Sequence, residues 1–328
     1  MKILVAGLGS IGRRHLRNLL ALGERDLLLY RTHQSTLPEA ELAGIPVETD
    51  LQAALAHHPQ AVIVSNPTAL HLDVAIPAAQ AGCHLFLEKP ISHSLARLEV
   101  LEAAVQHGGG QVYTGFQFRF HPGLQQVKRL LEEGVIGRPL SAHAHWGEYL
   151  PGWHPWEDYR QGYSARADLG GGVILTLSHP LDYLRWLLGE VQALWAFAAH
   201  LSDLELAVED TAEIGLRFGG ALASLHLDYN QRPPAHRLEI VGSQGTIRWD
   251  NAGSGVQAYP VASGEWETYP EPQGFERNDL FLAQMRHFLA VCRGETAPLC
   301  SLQDGRRALE LALAAHESQQ TGRVIQWS

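Results

Sequence analysis

Four apolar residues, Ile3-Leu4-Val5-Ala6, break into Gly7-Leu8-Gly9-Ser10-Ile11-Gly12, and no other stretch narrows the fold so far. A buried strand that turns through closely spaced glycines into a helix aims backbone N–H groups and the positive end of the helix dipole at one point, where a pyrophosphate can sit. The spacing alone also describes a tight strand-to-helix turn with no ligand. The residues after the glycines favour the nucleotide: between Arg13 and Leu22, Leu16, Leu19 and Leu20 share one helical face, with Arg13, Arg14 and Arg17 largely off it. Gly23 ends that helix, and Leu27–Tyr30 supplies a second buried strand, completing a βαβ unit. Gly7, Gly9, Ser10, Ile11 and Gly12 are the first candidates for holding a dinucleotide.

Composition bounds the rest. The 328 residues are 45% apolar, enough for two domains with proper cores. Lys and Arg number 25 against 35 Asp and Glu, a net charge of −10, which disfavours a nucleic-acid or anionic-membrane partner. Residues 1–120 carry 9 basic and 10 acidic side chains, so nearly all the excess acid lies later. That fits an anionic cofactor held by the first part, and a solvated acidic surface explains it equally well. Cys83, Cys292 and Cys300 form no ligand spacing, no signal peptide precedes the first strand, and no apolar run is long enough to span a bilayer. A reducing cytoplasm is the expected compartment.

Further strands end in polar residues. Arg31 follows the second strand about twenty residues past the glycines, where a carboxylate ordinarily meets an adenosine ribose diol and where a guanidinium suits a 2′-phosphate. NADP(H) is therefore favoured, with NAD(H) the alternative if Arg31 stacks on adenine or faces solvent. Ala61–Val64 runs into Ser65-Asn66-Pro67-Thr68, with His71 at a helix start, and Cys83–Leu87 runs into Glu88-Lys89-Pro90. The carboxyl ends of parallel strands are where open α/β sheets bind ligands, so Asn66, Pro67, His71, Glu88 and Lys89 join the cofactor candidates. Pro90 fixes the backbone after the lysine, with a cis bond as one way to do so. A helix over about Ser94–His107 and a strand at Gln111–Gly115 complete the first domain, and Phe116-Gln117-Phe118-Arg119-Phe120-His121-Pro122 leads out of it. Arg119 is a candidate to pin a phosphate or carboxylate of a ligand, or to bridge two domains.

Taken in order, the GxGxxG turn, Asn66-Pro67-Thr68 with His71, Glu88-Lys89-Pro90, and Gly115-Phe116 before Arg119-Phe120-His121-Pro122 resemble the glucose-fructose oxidoreductase / inositol dehydrogenase (Gfo/Idh/MocA) family. The resemblance continues through Gly170-Gly171-Gly172 and His179 to the C-terminal helices. It implies Lys89 beside the nicotinamide and His179 as the acid/base. In the family segment an Asp precedes the His by four residues; here Thr176 stands near that place, and the His comes one residue earlier relative to the glycines. Asp182, three residues after His179, shares a helical face with it and is expected to orient or charge-stabilise the imidazole. Lys89, His179 and Asp182 are the candidate catalytic residues.

Between Tyr149 and Arg160 the chain is rich in Trp, Pro and Tyr. Sugars present C–H faces to aromatic rings and hydroxyls to planar polar groups, so Trp153, His154 and Tyr159 join Lys89, Arg119 and His179 as substrate candidates. An ordinary loop with its aromatics tucked into the core is the alternative. Ser141–Tyr149 alternates with His143, His145 and Tyr149 on one face; two histidines so spaced could ligate a metal, but no third ligand is evident nearby, and no metal is expected. Residues 221–229 alternate too, with Ser224, His226 and Asp228 on one face. Strands at Val191–Ala199, Thr211–Phe218, Arg237–Val241 and Thr246–Trp249, then helices near Asn278–Cys292 and Leu302–Gln319, complete the chain.

The expected fold is α/β: a Rossmann doubly wound parallel sheet over residues 1–118, then an α+β domain over 119–328 with a large, mostly antiparallel open sheet. A second subunit is expected to cover the sheet's free face, giving a homodimer or homotetramer. The expected activity is hydride transfer between NAD(P) and a secondary alcohol or ketone of a sugar, nucleotide-linked sugar or inositol-like polyol. An NAD-dependent glycosidase of the same fold and a non-catalytic dinucleotide-sensing regulator are the alternatives.

Overall fold

The computed structural model describes residues 1–32, 42, 44–253 and 255–327. Residues 1–117 together with Glu276–Arg306 form one compact unit, and Phe118–Phe275 with Arg307–Ser328 form a second.

In the first unit the elements run β1 (Ile3–Ala6), α1 (Ser10–Ala21), β2 (Leu27–Tyr30), β3 (Val47–Glu48), α2 (Leu51–Ala56), β4 (Ala61–Val64), α3 (His71–Gln80), β5 (His84–Leu87), α4 (Leu98–Gly108) and β6 (Val112–Thr114). The six strands are parallel in the order β3-β2-β1-β4-β5-β6. Every residue of β1 and β4 is buried, as a sheet covered by helices on both faces requires. The strand order reverses between β1 and β4, and the carboxyl ends at such a switch are where this architecture leaves a crevice. The helix expected from Ser94 begins only at Leu98, after Arg97 takes a left-handed conformation at φ 66°.

In the second unit the order is α5 (Pro122–Glu132), β7 (Pro139–Gly147), α6 (Val173–Thr176), α7 (His179–Leu188), β8 (Val191–Ala199), β9 (Thr211–Phe218), β10 (Leu222–Asp228), β11 (Ala235–Gly242), β12 (Gly245–Asp250), β13 (Gly255–Pro260) and β14 (Glu267–Pro270). The chain closes with α8 (Arg277–Cys292), α9 (Leu302–Thr321) and β15 (Ile325–Gln326). Nine strands line up as β14-β13-β12-β11-β7-β10-β9-β8-β15, antiparallel except where β10 lies parallel to β7. On β7, Ala142, Ala144 and Trp146 are buried on the helix side, where Trp146 meets His179. His143 and His145 take the other face, and because β7 ends at Gly147, Tyr149 has left that face.

A contiguous division at residue 118 does not describe the units. α8 packs on the parallel sheet: Asn278 donates to Asn18 Oδ1 at 3.0 Å, Gln284 to the Tyr113 hydroxyl at 3.2 Å, and the Phe86 and Phe288 rings meet at 5.4 Å. Its buried face, with Leu280, Met285 and Phe288, covers apolar surface the first 117 residues leave bare. The hairpin β13–β14 was not expected, its strands being short and its second strand exposed.

Candidate functional site

Three glycines of the first turn serve three steric needs. Gly7 adopts φ 92°, and a Cβ there would lie 2.4 Å from the Asn66 amide nitrogen. A Cβ on Gly12 would lie 1.9 Å from the Gly7 carbonyl oxygen, whereas at Gly9 nothing stands within 4 Å. Tight turn, close packing of helix on strand, and an open side for an incoming group are what a dinucleotide-binding turn demands of first, third and second glycine respectively. Gly9 caps α1, and neither a side-chain cap nor an acidic residue occupies the helix's first turn, which includes Ser10 and Ile11. The donor set therefore suits an anion.

β4 supports this turn from beside it. Ser65 Oγ lies 3.0 Å from the Ala6 carbonyl oxygen and 2.9 Å from that of Gly7, donating to them. Asn66 donates from Nδ2 to the Leu70 carbonyl at 2.9 Å. Pro67 precedes a single 3-10 turn, Thr68–Leu70, that delivers His71 to the start of α3. His71 is buried, with Nε2 2.9 Å from the Asn66 carbonyl oxygen; a carbonyl only accepts, so Nε2 carries the proton. Burial pushes this imidazole down to about 4, against the opposing pull of Glu88 and neighbouring carbonyls.

At the tip of β5 the Glu88 carboxylate, expected to meet the cofactor, is turned inward. His15 Nε2 donates to Glu88 Oε1 at 2.7 Å, and the Lys89 amide donates to Oε2 at 3.1 Å. Glu88 is thus placed to fix the strand tip. His15 was missed by sequence reasoning, because a histidine inside an amphipathic helix resembles any surface polar residue until its partner is known. Lys89 is half-buried, its peptide bond to Pro90 is cis, and desolvation lowers its ammonium to about 8 although Glu88 pulls the other way. Arg31 directly follows β2 and is buried, with its amide donating to the Glu48 carbonyl at 3.1 Å.

In the second unit His179 opens α7 and is buried against the rings of Phe118, 5.0 Å away, and Trp146, 5.4 Å away. α6 stops at Thr176 and α7 starts at His179, so the two residues lie on separate helices and the family's helical spacing between acid and histidine has no counterpart here. Thr176 is buried, beside the buried Tyr229. Asp182, expected to orient the imidazole, is held by Arg119: Nε donates to Oδ2 at 3.0 Å and Nη2 to Oδ1 at 2.7 Å, with both side chains out of solvent. That bidentate pair also engages the guanidinium expected to meet a ligand. It locks the first turn of α7 to the segment entering the unit, and a carboxylate there also complements the helix dipole.

The glycine run before His179 is built around Glu209, which sequence reasoning also missed. Gly170 and Gly172 have φ of 81° and 105°, and a Cβ on Gly172 would meet the Glu209 carboxylate at 2.5 Å. Glu209 Oε1 accepts from the Ile174 amide at 3.1 Å, capping α6, and desolvation raises its carboxyl. In the aromatic loop, Tyr159 is pinned: its hydroxyl accepts from the Glu205 amide at 3.2 Å. Trp153 Nε1 and His154 Nδ1 are shielded from solvent and have no hydrogen-bond partner among the described residues. Buried polar atoms of this kind call for a partner.

Residues 1–116 match the family model described as "Oxidoreductase family, NAD-binding Rossmann fold", and residues 124–248 match "GFO/IDH/MocA C-terminal domain". The chain belongs to the Gfo/Idh/MocA family. It is an NAD-binding oxidoreductase of that family, consistent with the glycine geometry above. Family relatives include the myo-inositol 2-dehydrogenase of Thermotoga maritima, 29% identical across 99% of this chain and 98% of the relative. The 1,5-anhydro-D-fructose reductase of Ensifer adhaerens is 27% identical over 81% and 79% of the two chains. Among solved structures, the WlbA dehydrogenase of Bordetella pertussis in complex with NADH and UDP-GlcNAcA aligns over 100% of this chain and 99% of its own, with a TM-score of 0.83 and 25% identity. Among the described residues no helix is long and apolar enough to cross a membrane.

Proposed function

We propose that this family member transfers hydride between a nicotinamide dinucleotide and a secondary alcohol or ketone of a sugar, nucleotide-linked sugar or inositol-like polyol. The observation that carries the reading is Lys89, a lysine at the carboxyl tip of β5 whose backbone is fixed by Glu88 and whose ammonium is lowered to about 8. The activities of the inositol and anhydrosugar relatives support the substrate class. Trp153 and His154, with their unpartnered ring nitrogens, suit a polyhydroxylated ligand.

When bound, the nicotinamide supplies the hydride acceptor or donor. Lys89 donates a hydrogen bond to the substrate oxygen and stabilises the developing alkoxide; His179 removes the hydroxyl proton. Arg119 and Asp182 fix the turn that presents His179. Gly7, Gly9 and Gly12 place the pyrophosphate, and Arg31 reads an adenosine 2′-phosphate, so NADP(H) is favoured over NAD(H). The free face of the large sheet, bearing exposed Trp195, Phe197 and Leu222, is proposed to pack on a second copy.

Lys89→Ala and His179→Ala should each lower kcat by at least about 100-fold with cofactor binding largely kept. Full activity in either variant refutes its assigned role. Titration of NADH and NADPH into wild type and Arg31→Ala should show weakening of NADPH alone; equal losses would refute the 2′-phosphate role.

A further inference from the structure

The third ligand that the His143–His145 stretch lacks in sequence is supplied by the neighbouring strand. β10 pairs in parallel with β7 so that His226 stands opposite His145 and Asp228 opposite Gly147. The two imidazoles stack with centroids 4.6 Å apart and planes at 22°. One ligand atom from each of His145, His226 and Asp228 falls within 4.8 Å of the others. The cluster lies on the free face of the large sheet, opposite α7, with the His226 side chain 26% exposed and that of Asp228 only 7%.

We propose that His145, His226 and Asp228 form a binding site for a divalent transition-metal cation of the zinc class, clipping β7 to β10. Two imidazoles and one carboxylate are the donor types such ions prefer, and the set is poor for calcium or magnesium, which take oxygen. Ligand bonds of 2.0–2.1 Å in a tetrahedron put ligand atoms roughly 3.3 Å apart. His226 Nε2 and Asp228 Oδ2 already stand 3.0 Å apart, and the wider gap to His145 is one that ring torsions can close.

The surroundings fix the required donor atoms. His226 Nδ1 donates to Glu213 Oε1 at 2.6 Å, the outer carboxylate that orients a metal-bound imidazole and leaves Nε2 to the ion. Asp228 Oδ1 accepts from the amides of Asn230 and Gln231, each at 2.6 Å, which leaves Oδ2 directed at the histidines. His145 Nε2 is shielded from solvent and has no hydrogen-bond partner among the described residues. Arg237, the nearby cation on β11 opposite His145, is tied to Asp250 at 2.9 Å. In the metal-free state a proton bridges His226 and Asp228; the cation takes that place and gains His145.

The test uses the full chain stripped with a chelator and titrated with Zn²⁺ alone, followed by calorimetry, with Co²⁺ absorption as a second readout. Wild type should bind one ion per chain and give the visible bands of a four-coordinate cobalt site. His145→Gln and His226→Gln, each checked for folding by its metal-free melting curve, should bind at least ~10-fold more weakly. Glu213→Gln should weaken binding by about 10- to 100-fold as an outer-carboxylate loss. His143→Gln, whose ring bonds Ser224, should bind as wild type does. Absence of saturable binding, wild-type affinity in both ligand variants, or a loss confined to His143→Gln would each overturn the site.

Discussion

The glycine turn after β1 and the His145–His226–Asp228 cluster are both arrays of groups aimed at one point, and they were assembled in opposite ways. The turn is written in six consecutive residues, and Gly12 is constrained within it by the Gly7 carbonyl, although Gly7 is also hemmed in by Asn66 beyond β4. The cluster exists only because two strands far apart in sequence lie side by side in register. Local constellations are as robust as the turn that makes them, whereas cross-strand ones inherit the stability of the sheet. Arg119 with Asp182 is also long-range, tying the segment before α5 to α7, whereas His71 with Asn66 is local, and the contrast can be tested on these pairs.

The largest effect is expected where a long-range pair is also buried and charged. Asp182→Ala removes the carboxylate that the buried Arg119 guanidinium holds in two hydrogen bonds, a loss of about 3–5 kcal/mol. Replacing both, as Arg119→Met with Asp182→Leu, should recover most of it. Urea unfolding of the two variants checks this, and a single variant as stable as the double would show that the pair does not hold α7 in place.

A local pair should reveal itself through pH. His71 titrates near 4 in the folded chain and near 6.5 when unfolded. Above pH 6.5 both states hold it neutral. As pH falls through the interval toward 4 the unfolded chain takes up a proton that the folded chain refuses, and stability on the order of 3 kcal/mol is lost. His71→Gln should flatten that part of the profile, leaving the contribution of His121, which burial also holds at about 4. An unchanged acid limb in the variant would contradict the burial of His71.

These contrasts explain what could be read in advance. The parallel sheet was legible because β1, β2 and β4 are unbroken apolar runs, and the positions of Asn66, Lys89 and His179 were legible from the residues beside them. The partners were not. Glu88 and Asp182 looked like groups for a cofactor and an imidazole, and each is claimed by a residue distant in sequence, His15 and Arg119. The return of α8 to the first unit was hidden for the same reason: an amphipathic helix says that it must bury a face and not against what.

Next in size is the glycine turn itself. Gly12→Ala puts a methyl 1.9 Å from the Gly7 carbonyl oxygen, and dinucleotide affinity should fall by at least about 100-fold, roughly 2.7 kcal/mol. Gly9→Ala, with no atom within 4 Å of the new methyl, should leave stability within about 0.5 kcal/mol of wild type while weakening the dinucleotide. If Gly9→Ala binds normally, the open side of Gly9 is not where the cofactor lies.

The smallest effect separates the two kinds of contact within one place. Ser65 reaches from β4 to the carbonyls of Ala6 and Gly7, and its own amide already donates to the Ala6 carbonyl at 2.8 Å. Ser65→Ala therefore leaves Ala6 satisfied and removes one hydrogen bond, about 1 kcal/mol of stability, read as a small shift in the urea midpoint. A Cβ on Gly12 would also lie 2.7 Å from Ser65 Oγ, so the double variant Gly12→Ala, Ser65→Ala asks which contact excludes a side chain there. Backbone cannot step aside as a hydroxyl can, and the double variant should bind dinucleotide no better than Gly12→Ala alone. Rescue would place the constraint on the cross-strand serine and make the turn a product of the sheet as much as of its own glycines.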